Sequence, residues 1–213
     1  MTATWGLTID VARCHDCNNC FLACKDEFVG NDWPPYAKAQ PDRGQRWMNI
    51  LHRERGGYPL VAVAYLPKPC QHCKNPPCLK AAHNGAVTVR QDGIVLIDPN
   101  KAVGQKQLLD ACPYGAIFWN ETHQSPQKCT LCAHLLDDGW QEPRCVQACP
   151  TGAMQAFKLN TGEWGRVIEA GGLSAYLAEQ KTRPRVLYKN LKRFTHGFIA
   201  GSVALADTDE CAE

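Results

Sequence analysis

Of the thirteen cysteines in this 213-residue chain, twelve fall into a pattern that can hold iron. The first group is Cys14, Cys17, Cys20 and Cys24, spaced Cys-x2-Cys-x2-Cys-x3-Cys. The second is Cys70, Cys73 and Cys78 in CQHCKNPPC, and a lone Cys112 follows in ACPYGA. The last is Cys129, Cys132, Cys145 and Cys149, ending in CPTGA, while Cys211 stands apart. Short gaps let three thiolates reach three corners of one 4Fe–4S cubane. The fourth cysteine of such a run points away and ligates a different cluster, as in two-cluster ferredoxins. Motifs therefore work in pairs, each lending its last cysteine to the other.

Under that rule Cys14, Cys17 and Cys20 take Cys149 as fourth ligand, and Cys129, Cys132 and Cys145 take Cys24. The twelve residues between Cys132 and Cys145 are a loop insertion within the motif. Cys70, Cys73 and Cys78 take Cys112. Read backwards from Cys112 at ferredoxin spacing, the partner motif has Leu108, Gln105 and Ala102 where thiolates would stand. The reciprocal position is Ala82, followed by His83 where proline is usual. All four missing ligands belong to one hypothetical fourth cluster. Scattered loss would leave half-ligated sites, whereas this pattern removes one site whole. The expectation is three 4Fe–4S clusters, about twelve iron atoms, each closed by four cysteines. No coordination position is left open for a substrate, so no catalytic residue is expected here.

Other uses of these residues fit less well. Disulfides need pairs at bridging distance, and cysteines two or three residues apart are too close for most to pair. Zinc sites use two separated Cys-x2-Cys pairs rather than four cysteines in eleven residues, and rarely end in Cys-Pro. His15, His72 and His134 stand beside cysteines, but the ligand count is complete without them, so they read as polar neighbours or surface residues. Gln105 and His83 as ligands of another metal, and Cys211 as more than a spare thiol, have little support. The basic stretch Arg183–Arg193 could meet RNA, but a solvated or subunit-facing surface accounts for it better.

The elements that must position these groups are short. TWGLTID before Cys14, YPLVAVAYL before Pro67 and GIVLID after Gly93 read as strands. The segments after Cys24, Cys112 and Cys149 are expected to start helical turns. Residues 25–60 form a polar and aromatic insertion rich in turn formers, and residues 155–213 a tail without cysteine until Cys211. Such a chain is held together partly by its cofactors, because metal-binding free energy is also folding free energy. No apolar run approaches the roughly 18 residues that span a bilayer. The start MTATWGLTID has neither the basic nor the apolar region of a secretory leader, so a cytoplasmic protein is expected. A formal charge of +2 gives no sign of nucleic-acid binding, and it counts as neutral the thiolates that clusters would make anionic.

The layout, with NPPC in the second motif, CPYGA in the third and KCTLC…PRCVQACPTGA in the fourth, resembles the iron–sulfur subunits of the dimethyl-sulfoxide-reductase type of molybdopterin oxidoreductases. It covers about residues 5–157. DVARCHDCNNCFLAC, RGQRWMNI, DGIVLIDP, LLDACPYG and KCTLCAHLLDD are similar, more narrowly, to the small subunits of the pyrogallol–phloroglucinol transhydroxylase and resorcinol hydroxylase group, which also lacks the fourth cluster. The resemblance implies an α+β fold of two loop-rich ferredoxin-like modules. The outer one spans 1–65 and 119–157 with two clusters. The inner one spans 66–118, is inserted in the outer, and has one cluster and a vacant second site. Residues 158–213 would be an extension contacting the catalytic subunit, with a first strand of a further domain near Phe198–Ala206 at most. The partner implied is a large subunit holding a bis-pyranopterin molybdenum or tungsten cofactor. It would hydroxylate a phenolic ring or transfer a hydroxyl group to one. In four-cluster relatives the missing cluster is the one at the membrane end, so a heterodimer without a membrane anchor is expected. A free-standing polyferredoxin, a subunit of another molybdopterin oxidoreductase, and a purely structural role for the clusters are the alternatives.

Overall fold

The computed structural model describes residues 2–197, so Cys211 and the strand expected near 198–206 lie outside the described residues. The elements run β1 (Thr4–Asp10), α1 (Asn19–Phe28), β2 (Asn49–Gly57), β3 (Leu60–Lys68), α2 (Pro77–Ala81), β4 (Val87–Val89), β5 (Val95–Ile97) and α3 (Gln107–Asp110). They continue with β6 (Phe118–Asn120), β7 (Ser125–Gln127), α4 (Ala133–Asp137), α5 (Arg144–Gln147), β8 (Met154–Leu159), α6 (Thr161–Gly171), β9 (Val186–Lys189) and α7 (Lys192–Thr195). The fold is α+β and loop-rich, as the resemblance implies.

β1 is the centre of the one three-stranded sheet among the described residues, pairing antiparallel with β8 and parallel with β9. Its five middle residues are all buried, because both faces are covered. Leu7 and Ile9 join Phe28, Trp47, Met48 and Tyr188 in the main core. Gly6 permits close approach here: a Cβ would stand 2.6 Å from the Arg185 carbonyl and 2.6 Å from the Trp164 ring. The remaining strands form three hairpins, β2–β3, β4–β5 and β6–β7.

Two helix pairs are packed in a similar way: α1 on α5, with α5 also against β8, and α2 on α3, with α2 also against β4. Proline starts two of these helices, with Pro77 inside the first turn of α2 and Pro143 capping α5, where its missing N–H is no loss.

Several expectations need correction. The helices do not follow the cysteines; they carry them. Cys20 and Cys24 lie in α1, Cys78 in α2 and Cys145 in α5, while Cys112 and Cys149 come just after α3 and α5. The four-residue step from Cys20 to Cys24 is close to one helical turn, so the helix must already be running at the third cysteine. The 25–60 insertion also supplies β2 and buries Trp47 and Met48. The basic stretch is solvated at its cations and buried between them: Arg183, Lys189, Lys192 and Arg193 are exposed, whereas Val186, Leu187, Tyr188 and Phe194 are buried. In β9 three successive residues are covered and only Lys189 is exposed. α6 was not foreseen, although Asn160 and Glu163 make a reciprocal capping box, with bonds of 3.0 and 2.8 Å.

Candidate metal centre

The twelve thiols gather in three fours. Cys14 and Cys20 lie within electrostatic reach of each other, of Cys17 and of Cys149. Cys24, Cys129, Cys132 and Cys145 are mutual neighbours in the same sense. Cys70, Cys73, Cys78 and Cys112 form the third group and together line one small cavity of ≈ 20 Å³, walled by Pro76, Pro77, Tyr114 and Ile117. Each four combines three cysteines of one motif with a single cysteine from a distant one. The groups also follow an order in space. Cys145 of the second is a neighbour of Cys20 of the first, and Cys129 of the second is a neighbour of Cys70 of the third.

Local backbone explains how the loops wrap. In three Cys-x2-Cys loops the residue just before the second cysteine sits in the left-handed region: Asp16 at φ 55, His72 at φ 41 and Leu131 at φ 56. Asn18 (φ 60) and Cys132 (φ 50) do likewise. Such turns swing successive N–H groups to one side and make a concavity that suits an anion. The amide of Leu131 donates to Cys129 Sγ at 3.3 Å and that of Ala116 to Cys112 Sγ at 3.5 Å. Gln40 Nε2 adds a contact to Cys24 Sγ at 3.8 Å, and Thr182 a hydrogen bond to Cys73.

Burial dominates the electrostatics. It pushes the thiols of Cys20, Cys24 and Cys73 up to about 12 and those of Cys78 and Cys129 up to about 11, and it raises Cys132 and Cys145 well above the ordinary range. Neighbouring thiols add to the rise. Cys149 is the exception: against its own desolvation, bonds from Thr151 and from the amides of Met154 and Ala153 pull it down. Four crowded, buried thiols become thiolates only around a strong positive charge. Among the described residues, no three His, Cys, Asp or Glu side chains converge closely enough for a single metal ion. The donor set, four thiols to a group with backbone amides on several of the sulfurs, fits a polynuclear iron–sulfur cluster.

The four positions that lack cysteine also come together. Ala102 and Leu108 are fully buried and pack with Ala82 in one apolar cluster, which touches Cys78 and Cys112. Gln105 accepts from the His83 amide at 2.9 Å and donates to the carbonyls of His83 and Lys101 at 3.2 and 2.8 Å. Leu108 is the second residue of α3, as Cys145 is of α5, and each lies four residues before a cysteine. An apolar plug therefore lies beyond the third group.

Among the histidines, His15 and His83 are exposed. His134 is buried, bonded to Glu27 at 2.8 Å and stacked on Trp33. His72 is buried, and its Nδ1 accepts from the Val95 amide at 3.1 Å. Gln40, Thr182 and Lys128 have no place in the sequence reading. The first two reach their cysteines from far along the chain and leave no local signal, whereas Lys128 precedes Cys129 within KCTLC.

Residues 61–159 match the 4Fe-4S dicluster domain family. The chain is 50% identical over 211 residues to the pyrogallol hydroxytransferase small subunit of Pelobacter acidigallici, covering 97% of this chain and 76% of that protein. It is 35% identical over 208 residues to the iron-sulfur subunit of a putative dimethyl sulfoxide reductase of Halobacterium salinarum, covering 84% and 72%. It is 34% identical over 168 residues to one of the chains of the anaerobic dimethyl sulfoxide reductase of Escherichia coli, covering 72% and 73%.

Proposed function

This chain belongs to the iron–sulfur subunits of the dimethyl-sulfoxide-reductase type of molybdopterin oxidoreductases, and from that premise we propose that it relays electrons through three 4Fe–4S clusters. The ligands are Cys14, Cys17, Cys20 and Cys149 for the first, Cys24, Cys129, Cys132 and Cys145 for the second, and Cys70, Cys73, Cys78 and Cys112 for the third. Each cluster, when bound, takes up and passes on one electron. The chain's own residues fix the thiols, aim amides at them and keep water from the second and third groups. The observation that carries this reading is the spatial sequence of the three thiol groups, first to second to third.

The outer module (1–65 with 119–157) holds two clusters, the inner module (66–118) one, and residues 158–213 extend towards the partner. That partner is a larger catalytic subunit with a molybdenum or tungsten pterin cofactor, acting on a phenolic ring by hydroxylation or hydroxyl transfer. The 50% identity to a pyrogallol hydroxytransferase small subunit supports this choice of substrate class. Among the described residues no helix is long and apolar enough to cross a membrane. A cytoplasmic heterodimer without a membrane anchor completes the reading.

Anoxic purification of the tagged chain from its host tests it. About twelve irons per small subunit, with a large pterin-bearing subunit that converts a polyhydroxylated benzene, is the expected result. Zinc in place of iron, or about four irons more, overturns the cluster reading. A lone small species favours a free-standing carrier, and a large subunit inert towards phenols removes the substrate class.

A further inference from the structure

We propose that Lys128 is a fixed positive charge shared by the second and third clusters, one that raises the reduction potential of both and leaves the first untouched. This rests on the three-cluster reading. The side chain is 3% exposed. On one side it lines the cavity of Cys70, Cys73, Cys78 and Cys112; on the other it is bonded in sequence to Cys129. Its charge acts on the thiols of Cys78, Cys112 and Cys129 together. Lys128 thus sits at the junction of the two groups, where Cys129 and Cys70 are neighbours.

What surrounds the ammonium makes it a redox residue rather than a structural one. Nζ donates to the carbonyls of Val95 and Cys129, the latter at 3.0 Å. Among the described residues no carboxylate is within salt-bridge distance of it. The nearby ring of His72 supplies no anion either, since its Nδ1 accepts a backbone bond, and Arg185 beyond it is a second cation. An isolated ammonium so deeply buried is unfavourable, and two carbonyl dipoles do not offset that. The anions within reach are the thiolates of the two groups. A cation held there favours the more negative, reduced form of each cluster, because net charge is one of the quantities that sets a cluster's potential. Lys68 provides the contrast. It donates to the Tyr114 carbonyl and reaches Cys112 alone, so it bears on the third cluster only.

The test is an anoxic redox titration of the intact complex, followed by electron paramagnetic resonance, on wild type, K128Q, K128M and K128R. One charge several ångströms away at an interior dielectric near 20 is worth roughly a tenfold ratio of reduced to oxidised cluster or more. In K128Q and K128M two of the three transitions should therefore fall by about 59 mV or more, the third transition staying in place. K128R should keep all three at wild-type values. K128Q can still donate to both carbonyls and K128M is of similar length, so one can be read if the other loses a cluster. Transitions that do not move, that move one at a time, or that all move alike overturn the proposal. Iron content of the same wild-type sample separates the two levels. Fewer than three clusters defeats the underlying reading, whereas three clusters indifferent to residue 128 defeats only the role of the lysine.

Discussion

Gln105 and His83 hold each other by a reciprocal pair of hydrogen bonds, amide N–H to Oε1 at 2.9 Å and Nε2 to carbonyl at 3.2 Å. They lie beside Ala82, Ala102 and Leu108, where the proposed ligand scheme would put the thiolates of a fourth cluster. In that scheme the segments of α1 and α5 would be tied by thiolates that each lends to the other's group. The segments of α2 and α3 are tied instead by a carboxamide and an apolar plug of Ala82, Ala102 and Leu108. On that scheme metal bonds are exchanged for packing and hydrogen bonds, with the helix pair α2–α3 kept.

The exchange should be reversible only as a unit. Converting Ala82, Ala102, Gln105 and Leu108 together to Cys is expected to admit a fourth cluster, adding about four irons, measured by iron and sulfide analysis. Each single change should leave the iron content unmoved, since one thiolate cannot hold a cubane. A single substitution that adds a full cluster would show that the pairing scheme is wrong.

Q105A alone should weaken the packing around α2 and α3 without touching the iron. It removes the acceptor of the His83 amide and the bonds to the His83 and Lys101 carbonyls, and a typical hydrogen bond contributes about 0.5–1.5 kcal/mol net. Thermal melting of the iron-loaded protein should fall accordingly, with its absorbance in the visible unchanged before the transition. Loss of a cluster at ambient temperature would instead make Gln105 part of the third site.

Cysteine spacing limits which thiolates can reach one cubane, so the sequence alone could propose ligand sets from residues such as Cys24, Cys149 and Leu108, while the fold around them left weaker signals. The helices were misplaced because a turn that begins at the third cysteine leaves no apolar period to see; α5 has four residues. β9 was hidden for a different reason. Its cations, Arg185 and Lys189, dominate the composition, while the burial of Val186 and Tyr188 is set by β1 and the loop at Gln71, far away in sequence. Thr182 and Gln40 reach their sulfurs by long-range folding alone.

Asp137 links three segments. It accepts from Arg90 at 2.7 and 2.6 Å and from the Tyr36 hydroxyl at 2.6 Å, joining the β4–β5 turn, the 25–60 segment and α4. The Arg90 bonds pull its carboxyl down from 3.8 to about 2. A depressed carboxyl stabilises the fold above its ordinary value, and that contribution is lost as pH falls through about 2. The side chain is 38% exposed, so solvent screening holds the effect to about 0.5–1 kcal/mol. D137N should lower the melting temperature at neutral pH, and its gap to wild type should narrow as acid protonates the native carboxyl. A gap that widens in acid would mean that the carboxylate is not the stabilising form.

The lending of ligands between motifs can be tested one sulfur at a time. Cys24 belongs by sequence to the first motif, yet its neighbours are Cys129 and Cys132. Cys149 belongs to the last motif, yet its neighbours are Cys14 and Cys20. Replacing a ligand by serine removes a thiolate donor while keeping the local shape. C24S should therefore perturb the cluster held by the last motif, and C149S the one held by the first. The two sites differ in exposure, which makes the outcomes separable. Cys17 of the first group is exposed, whereas Cys132 and Cys145 of the second are buried. The cluster perturbed in C149S should be the one that a soluble chelator or oxidant attacks fastest in wild type, and the cluster perturbed in C24S the slower one. The check is the order in which the paramagnetic signals bleach in wild type, set beside the signal missing from each variant. If C24S instead removes the fast-bleaching signal, each motif keeps its own fourth cysteine, and the crossed arrangement of thiols is not the one that binds iron.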